Sequence, residues 1–140
     1  MAPTGQSTVS PLRILLVEDD FSAAEALRRL IRRAGHDVQL AASLAEVRSL
    51  PPSAKFDLLI SDFNLTDGNG SQILPLVASA GLVAVALSGS TDESEVVRLR
   101  EAGFAYYFSK PVDWPELRAL IDNVSRERQQ RQHQAGLPGQ

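Results

Sequence analysis

Five times along its 140 residues the chain passes from a short apolar run to a polar stop and then into a helical pattern, and this alternation leaves few folds open. Leu12–Val17 is apolar apart from Arg13, as expected of a strand buried on both faces. Ser22 with Glu25 reads as a capping box, and Ala23, Ala26, Leu27, Leu30, Ile31 and Ala34 then recur at helical spacing up to Gly35. Asp37–Ala42 is a second, weaker strand, followed by a box from Ser43 and Glu46 and a short helix that must end before Pro51-Pro52. Phe56–Ser61 is the third strand. The turn residues Asp67-Gly68-Asn69-Gly70 lead to a helix around Gln72–Ala80, in which Pro75 fits only the first turn, and Gly81 closes it. Leu82–Leu87 is the fourth strand, and Ser90 with Glu93 caps a helix ending near Gly103. Phe104–Ser109 is the fifth. Asp113 caps a last helix with Pro115 in its first turn and an apolar stripe of Leu117, Leu120, Ile121 and Val124.

Strands that alternate with helices pair in parallel through right-handed crossovers, so the fold class expected is α/β, a doubly wound five-stranded parallel sheet with helices on both faces. An apolar content of 44% over this length suits one domain, expected at residues 11–125. Residues 1–10 read as a flexible leader, and 126–140, rich in Arg and Gln before Gly-Leu-Pro-Gly, as a frayed helix end and flexible tail. A net charge of −3 with both signs dispersed argues against direct nucleic-acid binding. The absence of cysteine excludes disulfides and thiolate metal sites. No secretory signal or membrane-length apolar segment is present, so a cytoplasmic location is expected.

In open sheets of this kind ligands bind outside the carboxyl ends of the strands. There the first strand runs into Glu18-Asp19-Asp20, the third into Asp62, the fourth into Ser88 and the fifth into Lys110-Pro111. Each alone has a bland reading as a solvated loop, a backbone cap or a surface lysine. Together they place acids, a hydroxyl and an ammonium on one edge. Carboxylates held close repel and would stay partly protonated without a cation. An all-oxygen site with few protein ligands suits Mg²⁺. Glu18, Asp19 and Asp62 bring three negative charges, and Mg²⁺ with Lys110 would bring three positive ones. Carboxylates can take a phosphoryl group as aspartyl-phosphates, and Asp62, leaving the central strand, is the best nucleophile. Lys110, the Ser88 hydroxyl and backbone N–H groups are the donors placed to receive the added charge.

From Arg13 to about Val124 the sequence resembles the receiver domain of two-component response regulators, the CheY-like family. The resemblance rests on Leu15-Leu16-Val17-Glu18-Asp19-Asp20, on Phe56–Asp62 with Asn64-Leu65-Thr66-Asp67-Gly68 after it, on Leu87-Ser88-Gly89 and on Ser109-Lys110-Pro111. It implies strand order 2-1-3-4-5, Asp62 as phosphoacceptor, Asp19 as a direct Mg²⁺ ligand, and Glu18 acting through a metal-bound water. It also implies that Asn64 offers a backbone carbonyl to the metal, that Ser88 and Lys110 hold the phosphoryl group, and that Tyr107 is an aromatic switch. A cis Lys110-Pro111 bond would match the family as well. The implied partners are a histidine kinase or phosphotransfer protein upstream, and a downstream protein that reads the face formed by helix four, strand five and helix five. No catalytic turnover is expected beyond phosphorylation and dephosphorylation of the domain itself. Thr66 stands where the family usually has Pro, Ser88-Gly89 replaces Thr-Ala, and Val112 replaces a common Phe.

Three other readings compete. Asp62-Phe63-Asn64-Leu65-Thr66 approaches the Asp-x-Asp-x-Thr motif of haloacid-dehalogenase-type phosphatases, but Asn64 replaces the second acid that those enzymes use as general acid and base. A flavodoxin-like flavin carrier would need a Gly-, Ser- and Thr-rich turn after the first strand, which is acidic here. A degenerate receiver acting only as a binding module would lack key side chains, and all are present.

Overall fold

The computed structural model describes residues 10–89 and 92–135, with side chains described as far as Arg131. Five parallel strands form one sheet: β1 (Arg13–Val17), β2 (Asp37–Ala41), β3 (Leu58–Asp62), β6 (Val83–Ser88) and β7 (Tyr106–Ser109), in the order β2-β1-β3-β6-β7. This is the 2-1-3-4-5 order expected, with the two short strands β4 (Asn64–Leu65) and β5 (Gly68–Asn69) inserted as an antiparallel hairpin after β3. The helices are α1 (Phe21–Arg33), α2 (Leu44–Arg48), α3 (Leu74–Val77), α4 (Glu93–Ala102) and α5 (Trp114–Ala135).

The two-residue period of the strands divides the core in two. Leu15, Val17 and Leu59 face Leu44, Val47, Ile73, Leu74, Leu99 and Phe104 on one side. On the other, Ile14, Leu16, Leu58 and Ile60 pack against Ile31, Leu117, Leu120, Ile121 and Val124 of α1 and α5. Central strands covered on both faces explain why β1 and β3 read as near-continuous apolar runs. β2 and β7 stand at the sheet edges and are only partly buried, which explains their weaker signal.

Several boundaries differ from the sequence expectation. Asp20, not Ser22, caps α1: its carboxylate accepts from Ala23 N at 3.1 Å, so the helix starts earlier. Ser43 caps α2 as expected, accepting from Glu46 N. The helix expected around 72–80 is shorter, a 3₁₀ turn at Gly70–Gln72 followed by the four-residue α3, in whose first turn Pro75 lies. Ser90, expected to cap α4, lies outside the described residues, and Asp92 serves instead, accepting from Ser94 N. Gly103 ends α4 at φ 111°, a conformation that a Cβ would strain.

Of the segment read as a frayed helix end and flexible tail, residues 126–135 continue α5. Arg, Glu and Gln are strong helix formers, and no Gly or Pro interrupts them before Gly136. Arg128 also ties the extension to the domain through an ion pair with Asp57 at 2.7 Å. Residues 136–140, and the leader up to residue 9, lie outside the described part. Ser10, its last residue, is held by a reciprocal pair of bonds with the buried Ser125 hydroxyl, at 3.0 and 2.7 Å. No helix of the described residues is long and apolar enough to cross a membrane.

Candidate functional site

Parallel strands that end together bring their following residues to one edge. Asp62 is the last residue of β3, the middle strand, and is 2% exposed. Its neighbour Phe63 donates N–H to Leu87 O at 2.8 Å, holding the chain beside β6 as it leaves the sheet. The 3₁₀ turn then folds tightly over this point. Gly70 N–H reaches Phe63 O at 2.6 Å, and a Cβ at Gly70 would stand 3.2 Å from Asp62 O and 3.3 Å from the Phe104 ring. A side chain there would push on the backbone of Asp62 itself.

Glu18 follows β1 and is buried, with both carboxylate oxygens engaged. Oε2 accepts from Asp20 N at 3.0 Å and Oε1 from Lys110 Nζ at 3.1 Å. Lys110 follows β7, where its N–H bonds to Ser88 O at 2.8 Å, and the Lys110-Pro111 peptide is cis. Its ammonium lies 2.6 Å from Asp62 Oδ1. That contact pairs the charges, and Oδ1 is a buried oxygen whose one close partner is this ammonium. Asp19 is exposed, yet one oxygen each from Glu18, Asp19 and Asp62 lie within 4.8 Å of one another.

These groups set each other's charge. Burial, with the hydrogen bond and negative charge of Glu18 adding to it, pushes Asp62 up to about 7 against the pull of Lys110. For Glu18, burial is outweighed by hydrogen bonds with Asp62, the Asp20 N–H and Lys110, which hold it below the usual carboxylate range. Lys110 loses water too, but the Asp62 and Glu18 carboxylates hold its ammonium above the ordinary lysine value. Of the two buried acids, Asp62 is thus the one that holds a proton more readily, and Glu18 the one that stays ionised. A hard cation fits this donor set: three carboxylate oxygens converge, all ligands are oxygen, and the buried Asp62 Oδ1 has no close partner besides the Lys110 ammonium.

The structure thus brings Glu18, Asp19, Asp62 and Lys110 into one group. Asn64 opens the β4–β5 hairpin two residues beyond Asp62 and is exposed. Ser88 ends β6 beside this edge, but its hydroxyl donates to Glu95 Oε1 of α4 at 2.6 Å. Tyr107 is 46% exposed and borders a cavity of about 50 Å³ that Val96, Leu99 and Arg100 also line. Alongside Glu18 and Lys110 opens a larger cleft of about 350 Å³, also lined by Asp20, Leu87, Pro111 and Trp114.

Two residues at this edge escaped the sequence reading. Asp67, read only as turn chemistry, accepts from both Leu44 N and Ala45 N, at 2.9 and 3.0 Å, and so pins the hairpin after Asp62 to the start of α2. Glu95 is 7% exposed on a helix whose other residues are mostly polar. Its signal was positional: it stands four residues before the buried Leu99, on the inward stripe of α4.

Known proteins resemble this chain in sequence and fold. The chain is 31% identical over 117 residues to the swarming motility regulation protein RssB of Serratia marcescens, covering 82% of this chain and 53% of that protein. It is 30% identical over 117 residues to the cell cycle transcriptional regulator CtrA of Caulobacter vibrioides, at 82% and 51% coverage. The chain therefore spans about half the length of these curated relatives. Among solved structures it superposes on the non-phosphorylated HemR receiver domain of Leptospira biflexa with a TM-score of 0.73 and 30% identity, covering 82% of this chain and 94% of that one. The model of the response regulator receiver domain matches residues 14–122. By its sheet order, by the acids and lysine gathered at one strand edge and by these matches, the chain belongs to the response regulator receiver domain family of two-component systems.

Proposed function

We propose that Asp62 accepts a phosphoryl group from the phosphohistidine of a kinase or phosphotransfer protein, in the presence of Mg²⁺, and that the domain reports this by a change in conformation. The observation that carries the reading is the setting of Asp62: buried, at the end of the central strand, 2.6 Å from the Lys110 ammonium and grouped with the Glu18 and Asp19 carboxylates. In the step itself an Asp62 oxygen attacks phosphorus, the phosphorus–nitrogen bond to the donor imidazole breaks, and an acyl phosphate forms on the carboxylate. Asp19, Asp62, Glu18 and the Asn64 carbonyl would hold Mg²⁺, which when bound would neutralise charge on the carboxylates and the incoming group. Lys110 supplies the fixed positive charge on the other side of Asp62. The Ser88 hydroxyl turns to a phosphoryl oxygen, and Tyr107 moves inward as it does so.

The chemistry is confined to the domain's own aspartate, so no turnover of external substrates is proposed. The cytoplasm, where phosphohistidine donors act, is the proposed location. Readout is assigned to the face of α4, β7 and α5, toward a protein partner. The proposal of no nucleic-acid contact concerns this domain alone, since relatives such as the DNA-binding transcriptional regulator NtrC of Rhizobium meliloti are longer, and this chain spans 25% of that protein.

Intact-mass measurement after incubation with Mg²⁺ and a small acyl-phosphate donor tests the reading. One added phosphoryl group is expected in the wild type, and none with chelator or in Asp62→Asn. Undiminished labelling of Asp62→Asn would overturn the assignment.

A further inference from the structure

Ser88 is the side chain on which the phosphoryl group and helix α4 make competing claims. A serine hydroxyl has one proton to donate, and a carboxylate can only accept. The 2.6 Å separation between Ser88 Oγ and Glu95 Oε1 is the length of a charge-assisted hydrogen bond, with the hydroxyl as donor. Both ends are buried, at 2% and 7% exposure, so water does not readily replace either partner. Ser88 follows Leu87, the residue paired with Asp62 across β3 and β6, so its hydroxyl is tethered one position past the phosphoacceptor. Glu95 lies in the first turn of α4, one turn before the buried Leu99 that seats the helix on the sheet.

We infer that Glu95 is a positioning residue: it holds the Ser88 hydroxyl toward α4 in the resting domain and competes with the phosphoryl oxygens for that one proton. The inference rests on the reading of Asp62 as phosphoacceptor and names the group that opposes its activated state. When a phosphoryl group on Asp62 recruits the Ser88 proton, Glu95 is left as a buried acceptor without that donor. This costs free energy unless the start of α4 shifts to let in water or another donor. The phosphorylation site is thereby coupled to α4 by a bond that must break, independently of any aromatic ring. The bond also sets how readily the domain activates, because every phosphoryl mimic must first displace Glu95.

The test uses beryllofluoride, a phosphoryl mimic, with Mg²⁺ on the full chain. Glu95→Ala removes the competing acceptor, and the near-isosteric Glu95→Gln weakens it to a neutral hydrogen bond. Thermal melts and Mg²⁺ titration without beryllofluoride report that both variants are folded with the metal site unaltered. Beryllofluoride affinity is expected to rise roughly tenfold in Glu95→Ala, as loss of a hydrogen bond to a charged group allows, and by less in Glu95→Gln. In a Ser88→Ala background the same changes are expected to have no effect, which separates loss of the bond from loss of a nearby negative charge. Amide NMR shifts of residues 93–102 in ligand-free Glu95→Gln should move toward those of the beryllofluoride-bound wild type. An unchanged affinity in both variants, or a rise that persists without the Ser88 hydroxyl, overturns the inference. If wild type binds no beryllofluoride at all, the phosphoacceptor reading falls and takes the inference with it; wild-type binding with unresponsive Glu95 variants sinks the inference alone.

Discussion

Asp62 and Glu18 bring carboxylate oxygens within 4.8 Å of each other, with Asp62 pushed up to about 7 while Glu18 is held below its usual range. The nucleophile of the proposed reaction is therefore kept partly neutral by its own surroundings, and a cation is what releases it. Carboxylates must be ionised to bind a metal, so Mg²⁺ binding should expel the Asp62 proton. At pH 7 release of roughly half a proton per Mg²⁺ is expected, falling toward zero above about pH 8.5. Calorimetric titration in two buffers of different ionisation enthalpy measures it directly. Heats that do not depend on the buffer, or release that persists in Asp62→Asn, would contradict the raised Asp62 value.

The same shift acts on stability in the metal-free protein, with a definite sign. Between 3.8 and about 7 the native state keeps a proton that the unfolded chain has already lost. Stability from this group therefore falls as pH rises through that window. With saturating Mg²⁺ the slope should flatten, and melting curves with chelator and with metal, taken across pH 5 to 8, would show whether it does.

The sheet was legible because β1 and β3 are buried on both faces and carry unbroken apolar runs, Leu15-Leu16-Val17 and Leu58-Leu59-Ile60. The acids and the lysine were legible for a related reason: parallel strands ending together turn a set of strand-end residues into a neighbourhood, so position in the sequence implied proximity. What stayed hidden depended on side-chain direction. Asp20 and Ser22 are both good caps, and only the fold of the first turn decides between them. Glu95 sits among Glu93, Ser94 and Arg98, and nothing in composition separates the one acid that turns inward from those that face solvent. The extension of α5 reads as a frayed end because a polar helix without an apolar stripe looks like a tail, while its anchor, Asp57, lies far away in the chain.

His36 gives a pH response of the opposite sign. It is 3% exposed, its Nδ1 accepts from Leu12 N at 3.0 Å, and its Nε2 has no hydrogen-bond partner among the described residues. Burial holds the imidazole below the ordinary histidine value; Arg118 acts the same way, and Asp122 and Asp37 act against it. As pH falls below about 6.5 the unfolded histidine takes a proton that the native one refuses, so stability falls with pH in that range. In an Asp62→Asn background, which removes the competing slope, the melting temperature should drop between pH 7 and pH 5.5. His36→Gln should flatten the drop. An equal drop in both proteins would remove His36 from the account.

Arg128 anchors the C-terminal part of α5 to the edge of the domain opposite the acids. Its Nη1 lies 2.7 Å from Asp57 Oδ1, while Asp57 Oδ2 accepts from Arg13 N at 2.8 Å at the start of β1. The pair is partly exposed, so Arg128→Ala should cost only about 0.5–1 kcal/mol. Asp57→Ala should cost more, because it also removes the acceptor for Arg13 N–H. Urea unfolding would measure both, and once Asp57 is absent the Arg128 change should add nothing. Additive losses in the double variant would mean that Arg128 stabilises the helix by some other contact.

Tyr107 is the residue through which the change at Ser88 should become visible from outside. Its ring is 46% exposed, and the cavity it borders, about 50 Å³, is far smaller than an aromatic side chain. Val96, Leu99 and Arg100 of α4 line that cavity, so the room available to the ring depends on where α4 sits. Under the inference above, release of Glu95 from Ser88 would let α4 move and enlarge that space. An inward ring then buries apolar surface and leaves its hydroxyl near solvent, which favours the activated packing. Beryllofluoride with Mg²⁺ should accordingly shift the Tyr107 ring resonances together with the amides of residues 92–124. In Tyr107→Ala the α4 amides should still respond, through Ser88 and Glu95, while those of α5 respond less. Changes confined to the loops around Asp62, with α4, β7 and α5 unmoved, would show that phosphorylation is stored there without being read on this face.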